Sequence, residues 1–154
     1  MAVDIFLDLK DVDGESKDHE FKDKIDVISW SWGYSSPAWH GQRTRQISVN
    51  DLVIKKYIDI ATARLSKRCW EGKLIEEGTL ICRKAGGASA LDYLKIKFEK
   101  ILVTGCAMTG ERVDEQFVEN ITLNFQKVAI SYYEQDKSGA KSKKVESELN
   151  ISAR

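Results

Sequence analysis

Hydrophobic residues recur at every second position along most of the chain, which predicts strands rather than helices. Val3, Ile5, Leu7 and Leu9 fall on one side of an extended segment, with Asp4, Asp8 and Lys10 on the other. DVDGES at 11–16 then supplies turn chemistry through Asp13-Gly14. In IDVISWSWGY (25–34), Ile28, Trp30, Trp32 and Tyr34 fall on one face, and Val27, Ser29, Ser31 and Gly33 on the other. A loop bearing Pro37, Trp39 and His40 follows. Ile47 and Val49 share a phase that Leu52 and Ile54 do not, a slip that predicts a bulge or bend at Asn50-Asp51.

Only one stretch changes period. Ala61, Leu65 and Cys69 recur at helical spacing, Asp59 stands where a cap is wanted, and Gly72 stands where a helix would stop. Beyond it, TLICRKAGG (79–87) reads as a strand closed by a glycine pair. LDYLKIKFEKILV (91–103) places Leu94, Ile96, Phe98 and Leu102 opposite Lys95, Lys97 and Glu99. After TGERVDE (109–115), Ile121, Leu123 and Phe125 point one way, and then the parity flips so that Val128, Ile130 and Tyr132 carry the apolar side. Long strands that exchange their buried face midway predict a small barrel or a tightly bent sandwich, because one strand then serves both sheets. From Gln135 the chain turns rich in Lys, Ser and Glu. The domain reading is therefore a β unit over 1–134 and a charged tail over 135–154 that gains partial order on assembly.

Composition narrows the function. With 154 residues, the chain suits one domain that needs no disulfide or metal staple. Lys plus Arg equal Asp plus Glu at 24 each, so no strong field favours nucleic acid or an anionic membrane. A protein partner, or another copy of the chain, fits better. MAVDIFLDLKDVDG has acidic residues where a signal peptide needs a positive start, and no apolar run approaches the roughly 20 residues of a membrane helix. Cytosolic synthesis and folding are expected, without membrane insertion.

Candidate chemistry is sparse. Cys69, Cys82 and Cys106 are odd in number and far apart, which suits reduced fillers rather than a disulfide framework or a zinc site. His19 and His40 are the only histidines and form no nucleophile-base arrangement, so neither catalysis, nor a metal, nor a cofactor is expected. Gly86-Gly87 lacks the lysine and helix of a phosphate loop and reads as a turn. Trp30 and Trp32 are expected in the core with Leu94, Ile96, Phe98, Ile121, Leu123 and Phe125; a ligand-stacking platform is the other use of such a pair. Trp39, in a polar loop, either folds back or docks on another subunit. KSGAKSKK (137–144) reads as solvated tail.

Six blocks in order carry a resemblance: AVDIFLDL (2–9), DGES (13–16), IDVISWSWG (25–33), DLVIKKYIDIAT (51–62), LICRKAGG (80–87) and ENITLNFQKVAISYY (119–133). Together they resemble the Hcp family of bacterial type VI secretion, over nearly the whole chain up to about Tyr133. The resemblance implies a mainly β fold, a two-sheet β-barrel with one short α-helix on its side, related to contractile phage tail-tube proteins. It implies homohexameric rings stacked head-to-tail as a tube, inside a contractile sheath, with a spike protein at the tip and effector proteins in the lumen. Such a protein is made in the bacterial cytoplasm and secreted without a signal peptide. On this reading Ser29 and Ser31 face the lumen, while Pro37, Trp39, His40, Gly41, Arg43 and Arg45 belong to a ring-stacking loop. The competing reading is a monomeric barrel that binds a small apolar ligand.

Overall fold

The alternation builds strands wherever it runs unbroken, and each break in it becomes a corner. In a computed structural model of the chain, which describes residues 3–37, 47–84, 91–135 and 141–151, the order begins β1 (Val3–Leu9), β2 (Ile25–Asp26), β3 (Ser29–Ser31), β4 (Tyr34–Ser35), β5 (Ser48–Val49) and β6 (Leu52–Tyr57). Helix α1 (Ala61–Glu71) follows, then β7 (Ile75–Lys84), β8 (Leu91–Thr109), β9 (Val118–Asn124), β10 (Lys127–Gln135) and β11 (Lys141–Asn150). A first antiparallel sheet runs β2-β1-β7-β8-β10-β11, and a second runs β8-β9-β6-β3. The fold is mainly β, with one short helix.

Three stretches pass from one sheet to the other. β8 pairs with β10 up to Glu99 and with β7 up to Ile101, and with β9 from Leu102 onward. At the change, Lys100 adopts φ +56°, a left-handed conformation that is costly for a residue with a side chain. Its effect is to bury both Phe98 and Ile101, three positions apart. Leu102 therefore does not share a face with Phe98, contrary to the simple alternation. The second crossing lies at 27–28, where Val27 N–H donates to Ile5 of β1 (3.0 Å) and Ile28 N–H donates to Lys55 of β6 (2.8 Å). Val27 is 9% exposed and Ile28 37%, the reverse of the parity expected for one continuous strand. The third is the 119–132 run, which is two strands: β9 in the second sheet and β10 in the first, separated by buried Phe125 and by Gln126.

Among the described residues the first sheet ends at β2 and at β11 and the second at β3, so the hydrogen-bonded ladder does not close. β2 and β3 are successive pieces of one segment, and the sheets enclose a single core in which Leu7, Ile25, Leu52, Ile54, Leu80, Ile101 and Ile121 are almost wholly buried. Each such side chain contributes about 1.5–3 kcal/mol by leaving water. The segment expected as a tail also differs: Lys141–Asn150 is strand β11, paired along β10 with Val128 opposite Leu149. Leu149 and Ile151 pack against the core, and this anchorage outweighs the polar composition that suggested a tail. α1 closes at Gly72, whose φ of +64° permits Gly72 N–H and Lys73 N–H to donate to Cys69 and Arg68 carbonyls.

The 11–24 connection is pinned to the first sheet by Arg83. Its Nη1 donates to Asp18 Oδ2 at 2.9 Å and its Nη2 to Asp4 Oδ2 at 3.0 Å, while the guanidinium carbon lies 5.1 Å from the Phe6 ring centre and 5.6 Å from that of Phe21. Asp18 also accepts from Glu20 and Phe21 N–H. The Arg83 hydrogen bonds, aided by those backbone donors, hold the Asp18 carboxyl well below the usual carboxylate range. A lowered folded-state value stabilises above the unfolded value of about 3.9 and is lost as pH falls through the folded one. Asp18→Asn should therefore cost roughly 1–2 kcal/mol at neutral pH, allowing for solvent screening. Urea unfolding should show the gap from wild type narrowing below about pH 3.9; a gap constant from pH 7 to pH 2 would mean that the pair does not act through charge.

Candidate assembly surface

The second sheet separates two chemistries by parity. Inward, Leu52 and Ile54 of β6 face Leu123 and Ile121 of β9, with Trp30 of β3 packed against them. Outward, one row runs Ser31, Val53, Thr122, Gly105 and the next Ser29, Lys55, Asn120, Ala107. Ser29, Ser31, Lys55, Ala107 and Asn120 are exposed. Most of these side chains are small or polar; Val53 is apolar, and the next row runs Tyr57, Val118, Thr109. Gly105 has no freedom to be larger, because a Cβ there would stand 2.7 Å from Thr122 Oγ1. At one end Asp51 joins three strands: Thr104 Oγ1 donates to Oδ2 at 2.7 Å and Asn124 Nδ2 to Oδ1 at 3.0 Å.

Trp32 stands at the end of β3 and holds the base of the following loop. Its ring meets Phe98, Phe125 and Tyr34 at centroid distances of 6.2, 5.8 and 5.1 Å, and its Nε1–H donates to the Asn50 carbonyl at 2.9 Å. Asn50 N–H donates to Gly33, and β4 pairs with β5 just beyond. Both tryptophans are half-buried against the core, as is Leu94; Ile96, Phe98, Ile121, Leu123 and Phe125 are fully buried. Pro37 is exposed at the edge of this base, whereas Trp39, His40, Gly41, Arg43 and Arg45 lie outside the described residues.

One buried feature escapes a reading by hydrophobicity. Lys56 and Glu119 are directly paired in the β6–β9 register, and both are 0% exposed. Lys56 Nζ lies 3.3 Å from Glu119 Oε1, 2.8 Å from Asp59 Oδ1 and 2.9 Å from the Tyr57 carbonyl. Thr62 Oγ1 donates to Glu119 Oε2 at 2.7 Å, and Ala61 N–H donates to Asp59 Oδ1 at 2.9 Å. The first turn of α1 is thus bound to the second sheet by charge. The signal was phase: Lys56 continues the inward parity of Leu52 and Ile54, and Glu119 that of Ile121 and Leu123. Burial raises the Cys82 and Cys106 thiols above their ordinary range, which makes both poor nucleophiles.

A family model described as type VI secretion system effector, Hcp, matches residues 6–132. The chain belongs to the Hcp family. It is 41% identical over 145 residues to protein hcp1 of Pseudomonas aeruginosa, covering 92% of this chain and 90% of that one. Its fold is similar to the crystal structure of Hcp1 from Salmonella typhimurium, with a TM-score of 0.82 at 32% identity over 99% of this chain and 97% of that one. It is also similar to a type VI secretion system effector from Yersinia pestis, with a TM-score of 0.79 at 30% identity over 96% and 100% of the two chains. Membership places the chain in type VI secretion and gives the two-chemistry sheet a context.

The Lys56 cluster makes a test of what holds this Hcp chain together. Lys56→Met should destabilise it by about 3–5 kcal/mol, because Glu119 is then left charged and unpaired in the interior. Adding Glu119→Leu should restore much of the loss in the same chemical-denaturation assay. No recovery in the double variant would show that the cluster is held by its hydrogen bonds to α1 rather than by pairing.

Proposed function

We propose that this chain is a structural subunit of the type VI secretion inner tube, forming hexameric rings that stack head-to-tail and carry effector proteins in the lumen. One observation carries the reading: the second sheet is packed apolar on its inner face, while the two rows that begin at Ser29 and Ser31 are small or polar on its outer face at every position but Val53. A wall of this kind is hydrated and presents many hydrogen-bonding groups, which suits passage and retention of protein cargo. The outward side chains of Ser29 and Ser31 belong to it. Family membership supplies the secretion context, in which a sheath, a spike and effectors are the partners of such a tube. No reacting group is required. The packing of the tryptophans weighs against a ligand-binding barrel: Trp32 meets Phe98 and Phe125, and Trp30 lies against the core.

Stacking is assigned to the loop that stands on Trp32 and includes Pro37, Trp39, His40, Gly41, Arg43 and Arg45. Light scattering should find a particle about six times the 17.5 kDa chain mass. Negative-stain images of a variant with Trp39, Arg43 and Arg45 all changed to Ala should show intact rings and fewer stacks. A chain that stays monomeric at high concentration removes the reading altogether, and loss of the rings in the triple variant moves the loop to the contact within a ring.

The wall has its own test. Ser31→Gln keeps fold and ring, since it adds a hydrated side chain on an exposed position, but it should lower the amount of effector that co-purifies. Each ring carries the change repeatedly, so a penalty of about 0.5 kcal/mol per lost contact accumulates on one cargo. Equal retention by wild-type and variant rings would take Ser31 off the wall.

A further inference from the structure

We propose that the outer edge of β11 pairs antiparallel with the same edge of a second copy of this chain, about a two-fold axis normal to the sheet at Val145. β11 is ten residues long and has β10 on one side; among the described residues no strand covers the other. An open edge of this length is a template for another strand unless its charges forbid it. A guarded edge would carry one sign. This one changes sign at its centre: Lys143 and Lys144 precede Val145, and Glu146 and Glu148 follow it.

That order selects a register. Lys144 and Glu146 share a face, and Lys144 Nζ lies 3.3 Å from Glu146 Oε2. Antiparallel pairing centred on Val145 sets Lys144 of each copy opposite Glu146 of the other, two opposite-charge pairs per joint. Centring on Lys144 or on Glu146 instead sets like charges face to face, and parallel in-register pairing sets each charge beside its own kind. The other face supplies apolar contact in the same register. Val145 is 55% exposed, its neighbour across β10 is Tyr132 at 46%, and Leu94 of β8 comes next in the row. Joined at Val145, the two rows become one continuous strip of Leu, Tyr and Val across both copies. The complementarity is the chain's own, which is why the occupant is a second copy and not an unrelated strand. Such a joint is two-fold and closes on itself, unlike the head-to-tail contacts that a ring and its stacking require.

Val145→Cys tests it, because among antiparallel registers position 145 faces itself only across this axis, and the charge variants below separate that register from a parallel one. Under mild oxidation by glutathione disulfide, this variant should form disulfide-linked dimers faster than the wild-type chain, which retains Cys69, Cys82 and Cys106. Adding Lys144→Glu, or separately Glu146→Lys, should slow dimer formation roughly tenfold, since both cross-strand pairs turn repulsive. Mixing these two charge variants should restore the rate as mixed dimers identified by mass, because each then meets its opposite. Circular dichroism melting confirms that the variants stay folded. In the wild-type chain, amide exchange of β11 should slow as concentration rises, and it should not in Lys144→Glu. Rates indifferent to the charge changes, no recovery on mixing, or exchange independent of concentration would each overturn the pairing. Ring formation is read from particle mass and does not depend on position 145, so failure of the joint and failure of the ring reading are told apart.

Discussion

Everything in this fold follows from the need for single stretches of chain to serve two sheets. A strand's side chains alternate, and in this chain the set that faces the core changes parity at each corner between the sheets, as from Phe98 to Ile101 and from Phe125 to Val128. The chain meets the constraint in three different ways. It uses a left-handed lysine at Lys100, a hydrogen-bond handover at Val27 and Ile28, and a break after Asn124 that admits Phe125 to the core. Were any of the three to keep simple alternation, the apolar set beyond it would face water. The corners, rather than the strands, therefore specify the architecture.

The interior is one apolar volume with a charged inclusion at one end. Lys56, Glu119, Asp59 and Thr62 lie where the inward parity of β6 and β9 runs out beneath the start of α1. A hydrophobic pair in that position would pack at less cost in desolvation. The charges give direction instead: Asp59 binds the ammonium and the first helical N–H together, so the helix can begin at one place only. Arg83 does comparable service on the first sheet, where its guanidinium, between two acidic partners and two phenyl rings, sets where the 11–24 connection lies.

How much of this is legible from residues alone depends on whether a feature is periodic. The strands, the helix with its Gly72 stop, and the slip at Asn50-Asp51 are periodic features, and the structure has its elements there. The parity flip after Phe125 reveals a corner, although it divides two strands rather than bending one. The corners at Val27 and Lys100 are invisible, because a lysine at φ +56° leaves no trace in hydrophobicity and Val27 and Ile28 are equally apolar. β11 is hidden for a different reason. Its composition is that of a solvated segment, and its place is set by the unpaired edge of β10 and by two aliphatics, Leu149 and Ile151, which composition averages away. On the outer face of the second sheet, Ser29 and Ser31 were readable because they alternate with tryptophans; Lys55, Asn120 and Ala107 join them only once the strand register is known.

The same alternation that builds the second sheet also divides what can vary in it. Inward positions such as Ile54 and Ile121 are close-packed, and a change there acts on stability first. Outward positions 29, 31, 55, 107 and 120 are open, so their side chains can change with little effect on the fold while altering what the wall presents. One row is an exception. Gly105 is held against Thr122 Oγ1, and Thr122 is tied through Thr104 to Asp51. The wall is thus free along the Ser29 row and fixed along the Ser31 row beyond Val53, because there the outer face carries its own hydrogen bonds between strands. A surface that must present new chemistry to changing partners while its sheet stays intact would draw its variation from the first row and not from the second.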